Sequence, residues 1–171
     1  MTALPDMRSK KSSAGIVWLK LVLFALLGIF LGVIGKIADH HTEHIGNILS
    51  GISFWIMICT IISVSSHSPR RAAVYVLALC AAMVASYYVT AEAFDLYYSM
   101  TFACGWAIFA LFSPLLAYAA WQCKGRRILS VVISCGIMTA MLFGTHLIFG
   151  IRIYDVLFAL ITAFFIFRSG R

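Results

Sequence analysis

His67-Ser68-Pro69-Arg70-Arg71 decides how this chain is read. It is a short basic turn between two long apolar runs. Proline interrupts helical hydrogen bonding, and two adjacent guanidinium groups resist transfer into hydrocarbon. The turn therefore lies in water, and basic loops of membrane proteins favour the cytoplasmic side. With this turn placed inside, every other loop acquires a side.

Composition agrees with that start. Of 171 residues, 63% are hydrophobic and 11% charged, against about 25% charged in soluble domains. Mean hydropathy is +0.99. The net charge of +7 comes from residues between apolar runs. Topology accounts for that pattern, and no nucleic-acid partner is expected. Cys59, Cys80, Cys104, Cys123 and Cys135 form no C-x-x-C pair and have irregular spacing. They read as small apolar side chains rather than a disulfide framework or zinc knuckle.

Six apolar runs extend outward from the turn, at about 15–37, 45–66, 72–91, 97–121, 128–149 and 153–168. A helical span takes about 20 residues. The first run is too long for a signal-peptide core and is read as a span. The expected fold is an all-α, polytopic integral membrane protein, a six-helix transmembrane bundle with both termini cytoplasmic. Residues 1–14 are expected to be a flexible cytoplasmic tail, and 15–171 a single membrane domain. The expected location is the cell membrane, with the lipid bilayer as partner.

Charge fixes the sides. Arg8, Lys10 and Lys11, then Arg70 and Arg71, then Lys124, Arg126 and Arg127, then Arg168 and Arg171 fall inside. Asp39 and Glu43, Glu92 and Asp95, and Asp155 fall outside. Lys36 and Arg152 break the pattern. Tyr87, Tyr88, Tyr97, Tyr98 and Tyr154 map to the outer interface, and Trp18, Tyr75, Tyr118 and Trp121 to the inner one.

Close helix approach in lipid favours small residues. Candidate contact faces are Ala25, Gly28, Gly32 and Gly35; Gly46, Ser50, Ser53, Met57 and Thr60; Ala78, Ala82 and Ser86; and Gly136, Ala140 and Gly144. Gly28, Gly32 and Gly35 are also a candidate docking face for a larger membrane complex or transporter subunit. Pro114 should kink its helix or free a carbonyl near Ser113.

Ser68-Pro69-Arg70-Arg71-Ala72-Ala73 and Met83-Val84-Ala85-Ser86-Tyr87-Tyr88 resemble segments of a family of small bacterial membrane proteins, mainly from Firmicutes, with no assigned function. The likeness continues through Phe112-Ser113-Pro114-Leu115-Leu116-Ala117 and Trp121-Gln122-Cys123-Lys124-Gly125, over the last two thirds of the chain. It implies a multi-span architecture and brings no catalytic residues.

Two groups of residues suggest chemistry. His40 to His44 satisfy the inverted zinc motif H-x-x-E-H, with Glu43 as the glutamate. On one helix His40 and His44 would share a face and hold Zn, with a third ligand from Glu92, Asp95 or Asp155. A hydrated polar turn, or a histidine patch titrating near neutral pH, explains the same residues. The second group is polar and lies near the outer ends of the runs: His146, Asn47, Ser50, Glu92, Tyr88 and Asp155. Polar groups at membrane depth cluster away from lipid, so these are expected to line one outward-facing pocket. His146 also reads as a neutral histidine bonded near the interface.

The preferred function is a small-solute binding or transport component. Its size and basic inner loops are similar in architecture to the substrate-capture subunits of energy-coupling-factor vitamin transporters. The alternatives are a non-catalytic accessory or regulatory protein of a larger complex, and a metal-dependent membrane enzyme using the His40–His44 turn. No P-loop or serine elbow is present, and no catalytic residue is assigned.

Overall fold

The computed structural model describes residues 7–125, 128–150 and 152–169, with the side chains of 7–14, 43, 44, 148 and 149 outside that description. Among these residues, seven α-helices follow in order: α1 Met7–His41, α2 Glu43–Leu49, α3 Ile52–Ser65, α4 Pro69–Ala93, α5 Met100–Trp121, α6 Ile128–Phe149 and α7 Ile153–Ser169. A single 3-10 turn, Gln122–Lys124, follows α5. No strand occurs among the described residues. The helix α1 begins at Met7, so the expected tail of residues 1–14 is helical from Met7. Residues 1–6 lie outside the described part, as do Arg126, Arg127 and Arg171.

Among the described residues, four segments are long and apolar enough to cross a membrane: Gly15–His41, Pro69–Ala93, Met100–Lys124 and Ile128–Leu147. Their outward faces are apolar, with Leu26, Phe30, Leu111, Leu115, Val131 and Leu147 all exposed. A soluble monomer seldom exposes so much contiguous apolar surface. The protein is therefore of the membrane-embedded type. The expected count of six full-length helices is not reproduced. The second apolar run is divided at Ser50–Gly51, which leaves α3 with 14 residues. The sixth run gives α7, with 17 residues. At about 1.5 Å per residue these reach roughly 21 and 26 Å, short of the roughly 30 Å hydrocarbon core.

Local chemistry explains the helix ends. Pro69 opens α4 rather than stopping a helix. It occupies the first turn, where its missing N–H costs nothing, and the Ser68 hydroxyl accepts from the Arg71 N–H at 3.3 Å. After α4, Asp95 takes a left-handed φ of 49°. The Leu96 N–H then reaches the Ala91 carbonyl at 2.8 Å and the Asp95 N–H reaches Glu92, a Schellman closure. Pro114 lies within α5 and cannot donate to the Ala110 carbonyl. The Ser113 hydroxyl donates to that carbonyl instead, at 2.8 Å, so α5 continues through the proline.

Packing is organised by glycine. A Cβ at Gly28 would lie 2.3 Å from the Leu79 carbonyl oxygen, and one at Gly32 would lie 2.4 Å from that of Met83. Only a bare backbone permits α1 and α4 to approach this closely. The expected face of Gly28, Gly32 and Gly35 is real, but α4 of the same chain fills it. It is not the open docking surface that a partner subunit would need. The stripe on α6 is also corrected: Gly136 and Ala140 are exposed, and Gly144 alone of the three lies near another helix, with Ile52 at 3.9 Å. The main core gathers Trp55, Ile62, Tyr75, Val76, Leu79 and Met83 between α3 and α4, with Ala110 and Ala117 of α5. A smaller core joins Met57, Met141 and Ala159 of α3, α6 and α7.

The two ends of the bundle differ. At one, the Ser66 carbonyl accepts from Trp121 Nε1 at 3.0 Å and from Lys124 Nζ at 2.6 Å. The Ser169 hydroxyl donates to the Val64 carbonyl at 3.2 Å. These bonds gather the His67–Arg71 turn, the turn after α5 and the end of α7. The opposite end gathers Lys36, Asp39, Ser50, Tyr87 and the Tyr97 backbone.

Candidate functional site

At that second end a cavity of about 700 Å³ opens between α1, α2, α4 and α5. Its polar lining is Lys36, Asp39, Asn47, Ser50, Tyr87, Tyr88, Tyr97, Tyr98, Ser99 and Thr101. Trp55, Phe102, Trp106 and Phe109 supply aromatic walls. A concave site that is mostly apolar with a few convergent polar groups is the usual form of a small-molecule pocket.

The break between α2 and α3 builds one wall. Thr42 is extended, at φ −146° and ψ 106°, so the chain turns after α1. The helix α2 then folds back on the end of α1. A Cβ at Gly46 would lie 2.5 Å from the Asp39 Cα, so glycine is what lets the two backbones touch. At the end of α2 the Leu49 carbonyl receives the Trp55 indole N–H at 2.8 Å. The Gly51 N–H reaches the Ile48 carbonyl at 3.3 Å. Interrupted backbone at membrane depth is tolerated where it lines a cavity and its polar groups find partners. Leu49 and Ser50 do line this one.

Two opposite charges meet the cavity one helical turn apart. Lys36 is 4% exposed. Its ammonium donates to the Tyr97 carbonyl at 2.7 Å and lies 5.2 Å from the centre of the Tyr87 ring. A cation over an aromatic face is held by the ring quadrupole. Asp39 accepts from the Tyr87 hydroxyl at 2.5 Å and from the Ser50 hydroxyl at 3.5 Å. Tyr87 thus contacts both, through its face and its hydroxyl. Tyr88 packs against Tyr87 and Tyr98, with ring centres 5.1 and 5.3 Å apart. The Tyr98 hydroxyl donates to Glu92, and that carboxylate pushes the Tyr98 phenol above its ordinary pKa.

Of the six residues expected in one pocket, Asn47, Ser50 and Tyr88 line this cavity. Glu92 touches its rim through Tyr98. Asp155 and His146 are elsewhere. Asp155 is 1% exposed at the start of α7. It accepts from the Ser53 hydroxyl and, at 3.0 Å, from the Arg152 N–H. A residue at the third helical position that accepts from the preceding cap N–H is half of a capping box. His146 is exposed on α6, outside the cavity. Lys36 and Asp39 were not expected there, although Lys36 carried a signal as an exception to the charge pattern.

The H-x-x-E-H stretch does not form the single helix its zinc geometry needs. His40 belongs to α1 and His44 to α2, with extended Thr42 between them. The rings of His40 and His41 stand 5.0 Å apart, and the side chains of Glu43 and His44 are outside the described part. Among the described residues no group of three potential ligands converges on a metal position.

A membrane-embedded bundle with an apolar cavity carrying a few polar groups is thus the class defined by fold and site. Residues 11–167 match a family of unknown function, DUF6518, and the chain belongs to that family. The expected membership of an uncharacterised family is met, and the match reaches further toward the N-terminus than the segments that suggested it. No curated protein and no solved structure matches the chain.

Proposed function

We propose that this protein is a small-solute binding or transport component of the cell membrane, with a pocket that opens outward. The carrying observation is the cavity bounded by the α2–α3 break and furnished with Lys36 and Asp39. Discontinuous helices lining a midplane or near-midplane site are a recurring device of membrane transporters. An ammonium and a carboxylate among Tyr, Trp and Phe side chains suit a small organic acid or zwitterion with an apolar or aromatic body. Lys36 would receive the carboxylate of such a solute, Asn47 and Ser50 would offer hydrogen bonds, and Trp55 and Trp106 would enclose the apolar part.

The orientation belongs to this reading. Six crossings are counted when α2 and α3 act as one broken span and α7 crosses despite its length. The gathering of Arg70, Arg71, Lys124 and Arg168 at one end supports a cytoplasmic assignment for that end. Both termini then lie inside and the cavity faces out.

The test is thermal unfolding of the purified full-length chain with benzoate, nicotinate and tryptophan as probes. Binding to the folded state stabilises it by about 2.7 kcal/mol at 100 times Kd. At least one probe is expected to raise Tm by several degrees, and Lys36→Met to abolish that rise with its own Tm near wild type. No response to any probe, or a response untouched by Lys36→Met, sinks the reading. Co-purification of a stoichiometric membrane partner without a ligand response would favour the accessory role instead.

A further inference from the structure

Two of the five cysteines meet inside the bundle. The Sγ atoms of Cys59 and Cys80 stand 3.6 Å apart, close enough for one thiol to donate to the other. Cys59 lies near the middle of α3 and Cys80 near the middle of α4. Their sequence separation is 21, so the fold, not local geometry, makes the contact. Cys80 is 2% exposed within the main core, and Cys59 packs against that core half-buried. The Ser113 hydroxyl of α5 lies within hydrogen-bonding reach of Cys80. Cys104 and Cys135 are exposed, and Cys123 is buried in the turn after α5.

The pair sits directly under the solute cavity. Trp55 is one helical turn before Cys59, Met83 is one turn after Cys80, and Phe109 is one turn before Ser113. All three line the cavity. Cys59, Cys80 and Ser113 therefore form the layer next below its floor.

We propose that Cys59 and Cys80 are a redox site, which a small hydroperoxide closes to a disulfide between α3 and α4. An attacking thiol and a resolving thiol already stand side by side. A disulfide bond is about 2.05 Å long, so roughly 1.5 Å remains to be closed, shared between two side chains. Cys59, the less buried, reacts first. Its sulfur attacks the outer oxygen of the hydroperoxide. The S–O bond forms, the O–O bond breaks, and the thiol proton goes to the departing oxygen, which leaves as alcohol or water. The Cys80 sulfur then attacks the Cys59 sulfenic sulfur. The S–S bond forms, the S–O bond breaks, and the second thiol proton leaves with that oxygen as water. The two thiols give up two electrons and the hydroperoxide gains two. Burial selects this oxidant. A small uncharged molecule enters an apolar interior, whereas a charged peptide disulfide does not.

The experiment uses the reduced full-length chain in neutral detergent. A small excess of hydrogen peroxide is added, the chain is denatured, and remaining thiols are capped with N-ethylmaleimide. Intact mass should show five caps before oxidation and three after it. Chymotryptic mapping should join Cys59 to Cys80, with Cys104 and Cys135 still capped although they are more exposed. A reductant should restore all five caps. The oxidised chain should also unfold at higher Tm, because the cross-link restricts the unfolded chain. C59S and C80S should each lose that rise, and C104S should keep it. Oxidation of Cys104 or Cys135 ahead of the pair overturns the proposal, as does a bridge between other cysteines or no bridge. An equal rise in C80S overturns it too. Should C59S or C80S fail to fold, the wild-type map decides alone. None of these outcomes depends on a solute in the cavity.

Discussion

Asp39 and Asp155 have similar partners and different settings. Each accepts a hydrogen bond from a serine hydroxyl of the second apolar run, Ser50 for Asp39 and Ser53 for Asp155. Asp39 lines a cavity together with a lysine and four tyrosines. Asp155 is sealed between α3 and α7, where its other bond closes the first turn of its own helix. Only Gly51 and Ile52 separate the two serines in sequence, and the α2–α3 break falls there. The break therefore divides a region arranged around open space from one arranged around packing. A buried carboxylate is open to a small molecule only where space adjoins it.

Substitutions test that division. The largest effect is expected at Gly32, where the cavity wall depends on contact between α1 and α4. Gly32→Val would drive a side chain into the Met83 carbonyl and the Ser86 hydroxyl. Overpacking of this kind costs about 3 kcal/mol or more when backbone must move, and thermal unfolding in detergent should show a large fall in Tm. A near-normal Tm would mean that the helices are not in close contact.

Asp155→Ala comes next. It removes the charged acceptor of two hydrogen bonds and strands the Ser53 hydroxyl in a buried place. A loss of about 2–3 kcal/mol is expected, with any solute response of the cavity retained. If Asp155→Ala instead abolished ligand binding at unchanged stability, the two aspartates would belong to one site after all.

The smallest effect is expected at Gly105, which lines the cavity from α5 with nothing within 4 Å of a Cβ position. Gly105→Ala should change stability by under about 1 kcal/mol, in the stabilising direction, because alanine is the better helix former. A marked loss would show that the space is filled.

Much of the architecture is legible before any coordinates. Long apolar runs declare helices, and the glycines at 28 and 32 declare a close crossing, because few other residues serve at such separations. The break at Ser50–Gly51 is not legible. Its neighbours Ile48, Leu49, Ile52 and Phe54 are all apolar, so hydropathy runs on through it. The break becomes evident only once the Leu49 carbonyl is seen to have Trp55 as its partner. The site was half legible for a related reason. Asn47, Ser50 and Tyr88 stand out as polar residues near one level of the membrane. Lys36 reads only as an exception to the charge pattern and Asp39 only as an outer carboxylate, because sequence does not say that α2 folds back over them. Asp155 and His146 have the same polarity and depth, but depth says nothing about which side of a helix a residue occupies.

Four tryptophans are present, and the fold distributes them unevenly. Trp55 and Trp106 line the cavity, Trp18 is 66% exposed on α1, and Trp121 is bonded to Ser66 at the far end. Half of the indole side chains therefore lie beside the cavity. Trp55 also clasps the break itself, so its spectrum reports on that joint. The protein carries a built-in optical gauge, readable without labels: occupancy should alter part of the fluorescence and leave the remainder as an internal standard.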